Sequence, residues 1–346
     1  MTMNQPSKKI GNATEKCYNI LEENGGILAN KSKSILLNDP TLEELKDPLQ
    51  FISKNWRDPL TPSIMALSCE AVRGKPKKTY DSALAISLIN LSFFLWDDII
   101  DQAPSKAFQP TVSGKYGTGP ALIIGGMASA KAFSILNDLN LEKTKKEKIS
   151  NLIWHLLAVM AKVEMRTLKK RNSETYSSQI KLWKIKTESI DPETCMKIGA
   201  IIGNGSEFEI TSLGKYGSNL GEILGIINDF RVSTNLTLEL ANKIKQKTLP
   251  YSLLLAIERS KFLKKNLEIL LEQNKIDSKS IQMVVREMLE TRVLEDIEKK
   301  VDICVQRAKE ALNGLKQNKA TFVLQEFIEL QPRFFVESIQ LLAELE

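Results

Sequence analysis

The 346-residue chain has a single histidine, His155, and only four cysteines, Cys17, Cys69, Cys195 and Cys304. No two cysteines form a CxxC pair, which argues against zinc and reads as reduced cytosolic thiols. His155, in "NLIWHLLAVM", reads as a satisfied buried residue rather than a base. An excess of charge of one sign is also missing. With 48 basic and 42 acidic residues the formal charge is +6, too mixed to imply nucleic acid. No apolar core follows the opening "MTMNQPSKK", so a secretory signal is not expected. The most apolar long run, Leu84 to Trp96, is interrupted by Ser87, Asn90 and Ser92 and falls short of the ~20 residues a membrane span needs. These absences lead to the expectation of a soluble, cytoplasmic protein without a transmembrane segment or a nucleic-acid partner.

What is present is helical periodicity. "PSIMALSCEAV", "YDSALAISLINLSFFLWDDII", "ISNLIWHLLAVMAKVEMRTLKK", "YSSQIKLWKIK", "LGEILGIINDF" and "VLEDIEKKVDICVQRAKEALNGL" repeat apolar residues every three to four positions. Breaks fall at Asp58-Pro59, Gly74-Lys75-Pro76, Gly117 to Pro120, Asp191-Pro192 and Gly203 to Gly205. No strand-like alternation, internal repeat or low-complexity linker intervenes. The expectation is all-α: one large helical bundle over 1–346, of roughly ten or more helices, with 1–12 a flexible N-terminus.

The stretch "LSFFLWDDIID" drives an apolar helix into three acids. Helical geometry puts Asp97 and Asp101 on one face and Asp98 about a quarter turn away. Carboxylates crowded at the end of a buried helix repel one another and lose hydration, which calls for a cation. Oxygen ligands without imidazole or thiolate favour Mg²⁺, with Mn²⁺ as the alternative, and Mg²⁺ usually completes its shell with phosphate. The bland reading is a solvated helix end. A second acidic spot, Asn228 and Asp229 in "LGEILGIINDFRVS", could face the first across a bundle interior, although Asp229 alone reads equally as a cap. Lys186 in "LWKIKTESI" and Lys243, Lys245 and Lys247 before "TLPYSLLLA" border apolar segments and could serve an anionic substrate.

In this order the motifs resemble the polyprenyl synthetase family, the trans-isoprenyl diphosphate synthases with the class I terpenoid synthase fold, over roughly Trp56 to Asn318. "DDIID" is similar to the first aspartate-rich motif, "QPTVSGKYGTGPALIIGGMASAKAF" to the stretch after it, and "KTESI" to the KT motif. "KYGSNLGEILGIINDF" is similar to the second aspartate-rich helix, and "KTLPYSLLLA" to its lysine-Thr-Leu-Pro segment. The resemblance implies a bundle with a central apolar pocket in which Mg²⁺ bridges aspartates to an allylic diphosphate. It makes Asp97 and Asp101 metal ligands, Asp98 a partner that orients them, and Asn228 and Asp229 ligands from the facing helix. Lys186 and Lys247, with Lys245 as an alternative, would bind diphosphate. Ser92 and Phe93, just before the first motif, would lie on the pocket wall and suggest a C15 or C20 chain. Trp96 could shield a cation. Relatives of this kind are commonly homodimers.

Departures from the pattern concentrate at one subsite. The stretch resembling the family's basic Gly-Gly-Lys-Arg-x-Arg-Pro segment reads "WRDPLTP", with Asp58, Pro59 and Thr61 in place of basic residues. Lys106 and Ala107 replace two arginines, and Ser113 replaces a histidine. Those groups hold isopentenyl diphosphate in elongating enzymes. Gly225, Val232 and Leu236 also thin out the second motif. The expectation is a terpene synthase-like cyclase or lyase that releases diphosphate. The alternatives are prenyl transfer to a peptide or small molecule, chain elongation, or a degenerate regulatory subunit of a heteromer.

Overall fold

The computed structural model describes residues 11–106, 109–171, 178–234, 238–272 and 276–343. Among them are seventeen α-helices. The first ten are α1 (Asn12–Ser34), α2 (Lys46–Asn55), α3 (Leu60–Ala71), α4 (Tyr80–Ile100), α5 (Val112–Tyr116), α6 (Thr118–Asn137), α7 (Lys143–Arg171), α8 (Ser178–Glu188), α9 (Ile190–Ile202) and α10 (Glu207–Thr234). They are followed by α11 (Leu238–Lys245), α12 (Tyr251–Arg259), α13 (Lys261–Glu272), α14 (Ser278–Glu290), α15 (Val293–Leu312), α16 (Lys319–Glu329) and α17 (Gln331–Ala343). The strands described are two residues each, β1 (Ser105–Lys106) and β2 (Gln109–Pro110), paired antiparallel with Ser105 opposite Pro110. The all-α expectation holds. Helix α4 begins and ends where "YDSALAISLINLSFFLWDDII" does.

One buried apolar cluster takes in residues from Ala13 to Phe335. Helix α4 is apolar around most of its circumference because it packs against α1, α3 and α6. Helix α10 lies between α9 and α15. Helix α3 approaches α9 closely because glycines allow it: a Cβ on Gly199 would collide with the Met65 carbonyl oxygen, and one on Gly74 with the Cα of Gly203. The two glycine breaks read from the sequence therefore meet in space. Polar contacts join later helices to the core. Asn318 caps α16 in a capping box with Thr321 and donates from Nδ2 to the Ala71 carbonyl at 2.9 Å, joining α16 to the end of α3.

Among the described residues two helical segments are long and apolar enough to cross a membrane, Pro76–Ile100 and Thr118–Asn137. The first exceeds the length expected from the sequence because Ser87, Asn90 and Ser92 do not interrupt its helix, and it is core. The second, α6, leaves Leu122, Ile123, Met127 and Phe133 exposed.

His155 departs from expectation. The buried stripe of α7 runs through Ile149, Ile153, Leu156 and Val163, and His155 turns outward beside Trp154, which is 72% exposed.

Candidate active site

Asp97, near the end of α4, stands at the wall of a cavity of about 820 Å³, with Asp98 and Asp101 buried beside it on the chain. Helix α4 supplies Asn90, Phe93, Phe94, Trp96, Asp97 and Ile100, a stretch of about 15 Å at the helical rise. Glu164 of α7, Ile185 of α8, Asp191 of α9 and Asn228 of α10 line other parts of it. Aromatic residues are only 6% of the chain, yet Tyr18, Trp56, Phe93, Phe94, Trp96, Phe327 and Phe334 all face this one space. The Phe93 and Trp96 rings meet edge to face at 6.0 Å.

Each acid at the polar end is matched by a lysine. The turn after α4 leads into β1, which brings the Lys106 ammonium back to 2.7 Å from both Asp97 Oδ2 and Asp98 Oδ1. From α11, Lys243 reaches Asp101 Oδ2 at 2.5 Å, and Gln246 donates to the Asp101 carbonyl at 2.6 Å. Lys184 of α8 pairs with Glu164 at 3.0 Å, and Lys181 with Asp229 at 2.8 Å.

Burial and these cations act in opposite directions on the acids. Burial raises the Asp97 carboxyl, but Lys106, Lys184 and Lys243 outweigh it and hold the group well below the usual carboxylate range. Burial and Asp97 raise Asp101, and Lys243 brings it below its ordinary value. Asp98, with no exposed surface, is pushed up to about 6 by burial despite Lys106.

The residues fit Mg²⁺ by donor chemistry. Asp98 Oδ2 and Glu164 Oε2 are buried oxygens without a hydrogen-bond partner among the described residues. No three acidic, histidine or cysteine side chains converge on one point there. Mg²⁺ suits such a wall, because it takes one or two carboxylates and fills the rest of its shell with water and substrate phosphate.

The remaining residues singled out from the sequence divide. Asn228 lines the cavity, whereas Asp229 is built into the scaffold: Oδ1 faces Lys181 and Oδ2 accepts the Tyr251 backbone N–H at 2.5 Å, at the start of α12. Ser92 is not on the pocket wall. It is wholly buried and donates to the Gly125 carbonyl at 2.8 Å, because its position on α4 turns it to α6. Lys186 does not line the cavity; it is 46% exposed and 3.8 Å from Glu222. Lys245 and Lys247 are exposed and do not line the cavity. Lys181, Lys184 and Ile185 share one face of α8 at helical spacing, and Ile185 is buried; that periodicity would have pointed to Lys181 and Lys184. Ala107 and Leu236 lie outside the described residues.

Asp58, which the sequence places where a basic residue is expected, is held by neutral donors. Its Oδ1 accepts the Thr61 backbone N–H at 3.1 Å, and its Oδ2 accepts Ser87 Oγ at 3.0 Å. Asn90 Nδ2 donates to Asp191 Oδ2 at 3.2 Å and to Thr61 Oγ1 at 3.0 Å. Asp58, Thr61, Asn90 and Asp191 all line the cavity. In the sequence Asp191 reads only as part of a break between helices.

A helical bundle around an apolar, aromatic cavity with aspartates and lysines at one end defines the isoprenyl synthase class of fold. The chain belongs to the polyprenyl synthetase family, whose model matches residues 43–288. It is 24% identical over 184 residues to a geranylgeranyl diphosphate synthase of Methanosarcina mazei, an alignment covering 52% of this chain and 56% of that protein. With a geranylfarnesyl diphosphate synthase of the same organism identity is 23% over 239 residues, 69% of this chain and 78% of the relative. The match thus spans little more than half of some curated relatives. A crystal structure of geranylgeranyl pyrophosphate synthetase from Pyrococcus horikoshii superposes with a TM-score of 0.76 at 21% identity, covering 93% of this chain and 98% of that one. A polyprenyl synthase from Caulobacter crescentus, solved with calcium and isoprenyl diphosphate, gives 0.78 at 16% identity over 94% and 99% of the chains.

Proposed function

We propose that this chain, acting as one isoprenoid synthase-like domain, ionises an allylic prenyl diphosphate of C15 or C20 length and releases diphosphate without adding isopentenyl diphosphate. It does so as a terpene synthase-like cyclase or lyase. The observation that carries this reading is the cavity wall at Asp58, Asn90 and Asp191, where acids and a neutral amide stand on the side expected to hold a second diphosphate. A second diphosphate would bring about three negative charges against two carboxylates. The aromatic lining adds support, since ring faces stabilise a cation and exclude water.

Asp97 and Asp101 would hold Mg²⁺, with Asp98 orienting Asp97 through their shared lysine and with Asn228 on the facing wall. When bound, the metal supplies charge neutralisation to the diphosphate. Lys106, Lys184 and Lys243 already surround Asp97 and supply fixed positive charge where the leaving group develops its own. Apolar groups of α4 and α7 keep water from the allylic cation.

The polar wall also favours a second reading, prenyl transfer to an acceptor bearing an O–H or N–H group, which Asp58 and Asp191 could accept as a hydrogen-bond donor. Incubation with C10, C15, C20 and C25 allylic diphosphates and Mg²⁺, followed by product analysis, tests the proposal. Hydrocarbon or cyclic products support it, and absence of diphosphate release from every substrate removes it. The exposed apolar side chains of α6 support a homodimer through that helix.

A further inference from the structure

Resting on the ionisation proposed above, we infer that Asp191 is the catalytic base that takes the terminating proton from the carbocation inside the cavity. Asp191 is half-buried at the start of α9 and lines the cavity together with Asn90, Asp58 and Thr61. Asn90, which bonds it at 3.2 Å, stands seven residues before Asp97 on α4. That places the Asp191 carboxylate about 10 Å along the wall from the metal-binding end, at 1.5 Å per residue. A departed diphosphate held at Asp97 and Lys106 cannot reach a C–H bond at that depth, so a proton lost there needs its own acceptor.

The chemistry balances. Ionisation breaks the C–O bond, and its electron pair leaves with diphosphate. A C–H bond next to the cationic carbon then breaks, its electron pair forms the new alkene, and the proton passes to the Asp191 carboxylate. Prenyl diphosphate thus gives hydrocarbon, diphosphate and one proton.

The surroundings suit a base working near neutral pH. Burial, and after it the neighbouring Asp58, push the Asp191 carboxyl up to about 7, against the Cys195 and Asn90 contacts. Asp58 faces it from the connection before α3, and the Cys195 thiol lies 3.6 Å from Oδ1 on its own helix. From α4 it meets the neutral Asn90. Helix α10 approaches the beginning of α9 with Gly217 and Gly221. Glu164 of α7 and Lys184 of α8 are paired with each other at 3.0 Å. Among the described residues the polar network is thus held by neutral donors, with Asp58 as the like charge acting on Asp191.

Asp191→Asn keeps the size of the side chain and removes the base. With the C15 and C20 all-trans allylic diphosphates and Mg²⁺, it is expected to lower the yield of the wild-type deprotonated product at least tenfold more than it lowers diphosphate release, and to raise water-quenched alcohol. The share of deprotonated product made by the wild type should rise with pH through about 7 as Asp191 ionises, and this inflection should vanish in the variant. Infrared titration of the metal-free protein gives a readout apart from activity: beside the Asp98 band titrating near 6, a second carboxylic acid band titrating near 7 that is lost in Asp191→Asn. If the wild type releases diphosphate but Asp191→Asn leaves both the product set and the pH profile unchanged, the assignment of the base is wrong while the ionisation stands. If the wild type releases no diphosphate from either substrate, the ionisation fails and the base assignment fails with it.

Discussion

The Lys243 ammonium lies 2.5 Å from Asp101 Oδ2, joining residues 142 positions apart, and its charge also acts on the cavity-lining Asp97. With substrate diphosphate present this lysine is free to exchange a carboxylate for a phosphoryl oxygen. A charge-assisted contact of this type contributes about 1.5–3 kcal/mol, roughly ten- to hundredfold in rate. Lys243→Met should therefore reduce kcat/KM for diphosphate release by that factor, and Lys184→Met similarly. Lys186→Met, on the exposed side of α8, should change it by less than threefold. The reverse ranking would restore the sequence-based assignment of Lys186.

Asp97→Ala and Asp101→Ala should each lower turnover by orders of magnitude, and a chelator should abolish activity that added Mg²⁺ restores. Asp98→Ala should cost less, because Asp98 acts through Lys106 and its neighbour. Steady-state diphosphate release across the three variants checks the order. Near-wild-type turnover in Asp97→Ala would remove the metal-binding role.

Asp229 predicts a different signature. Its two oxygens hold Lys181 and the first turn of α12, so Asp229→Ala removes an ion pair from a largely buried ammonium and a hydrogen bond from the Tyr251 backbone N–H. The expected loss of stability is on the order of 3 kcal/mol. Urea unfolding should show it, while the Mg²⁺ concentration for half-maximal activity of the folded variant shifts little. A large shift in that concentration without loss of stability would mark Asp229 as a direct ligand.

Glu337 of α17 accepts hydrogen bonds from Ala13 N, Thr14 N and Thr14 Oγ1 at 3.1, 2.8 and 2.7 Å, and so caps α1 from the far end of the chain. Burial raises its carboxyl, but the Thr14 and Ala13 bonds outweigh this and leave it below the ordinary glutamate value. A depressed carboxylate stabilises the fold above its unfolded pKa and loses that contribution as pH falls through the folded value. Glu337→Ala should cost about 1–2 kcal/mol at pH 7, and the difference from wild type should shrink in acid. Thermal melts of both proteins along a pH series measure it.

Periodicity alone carried much of the fold. The limits of α4 and the breaks at Gly74 and Gly203 were readable because helical spacing and glycine punctuation are local. The acids of "DDIID" were readable because charge inside an apolar run has few explanations. Their partners were harder. Lys106 reaches Asp97 only through the turn into β1, and Lys243 only because α11 folds back over α4. Ser92 and Phe93 differ by one residue, and that 100° turn decides between α6 and the cavity. Asp191 looked like a helix start because its meaning depends on Asn90, 101 positions earlier.

Under the proposal that Asp58, Pro59 and Thr61 stand in place of the basic groups of an isopentenyl diphosphate subsite, even two lost charge-assisted contacts amount to roughly 3–6 kcal/mol, a factor of about 10² to 10⁴ in affinity. The direct measurement offers radiolabelled isopentenyl diphosphate with each of the C10 to C25 allylic diphosphates under Mg²⁺. The expected result is diphosphate release from the allylic partner with no label in the prenyl products. Efficient incorporation of label into longer prenyl diphosphates would contradict it.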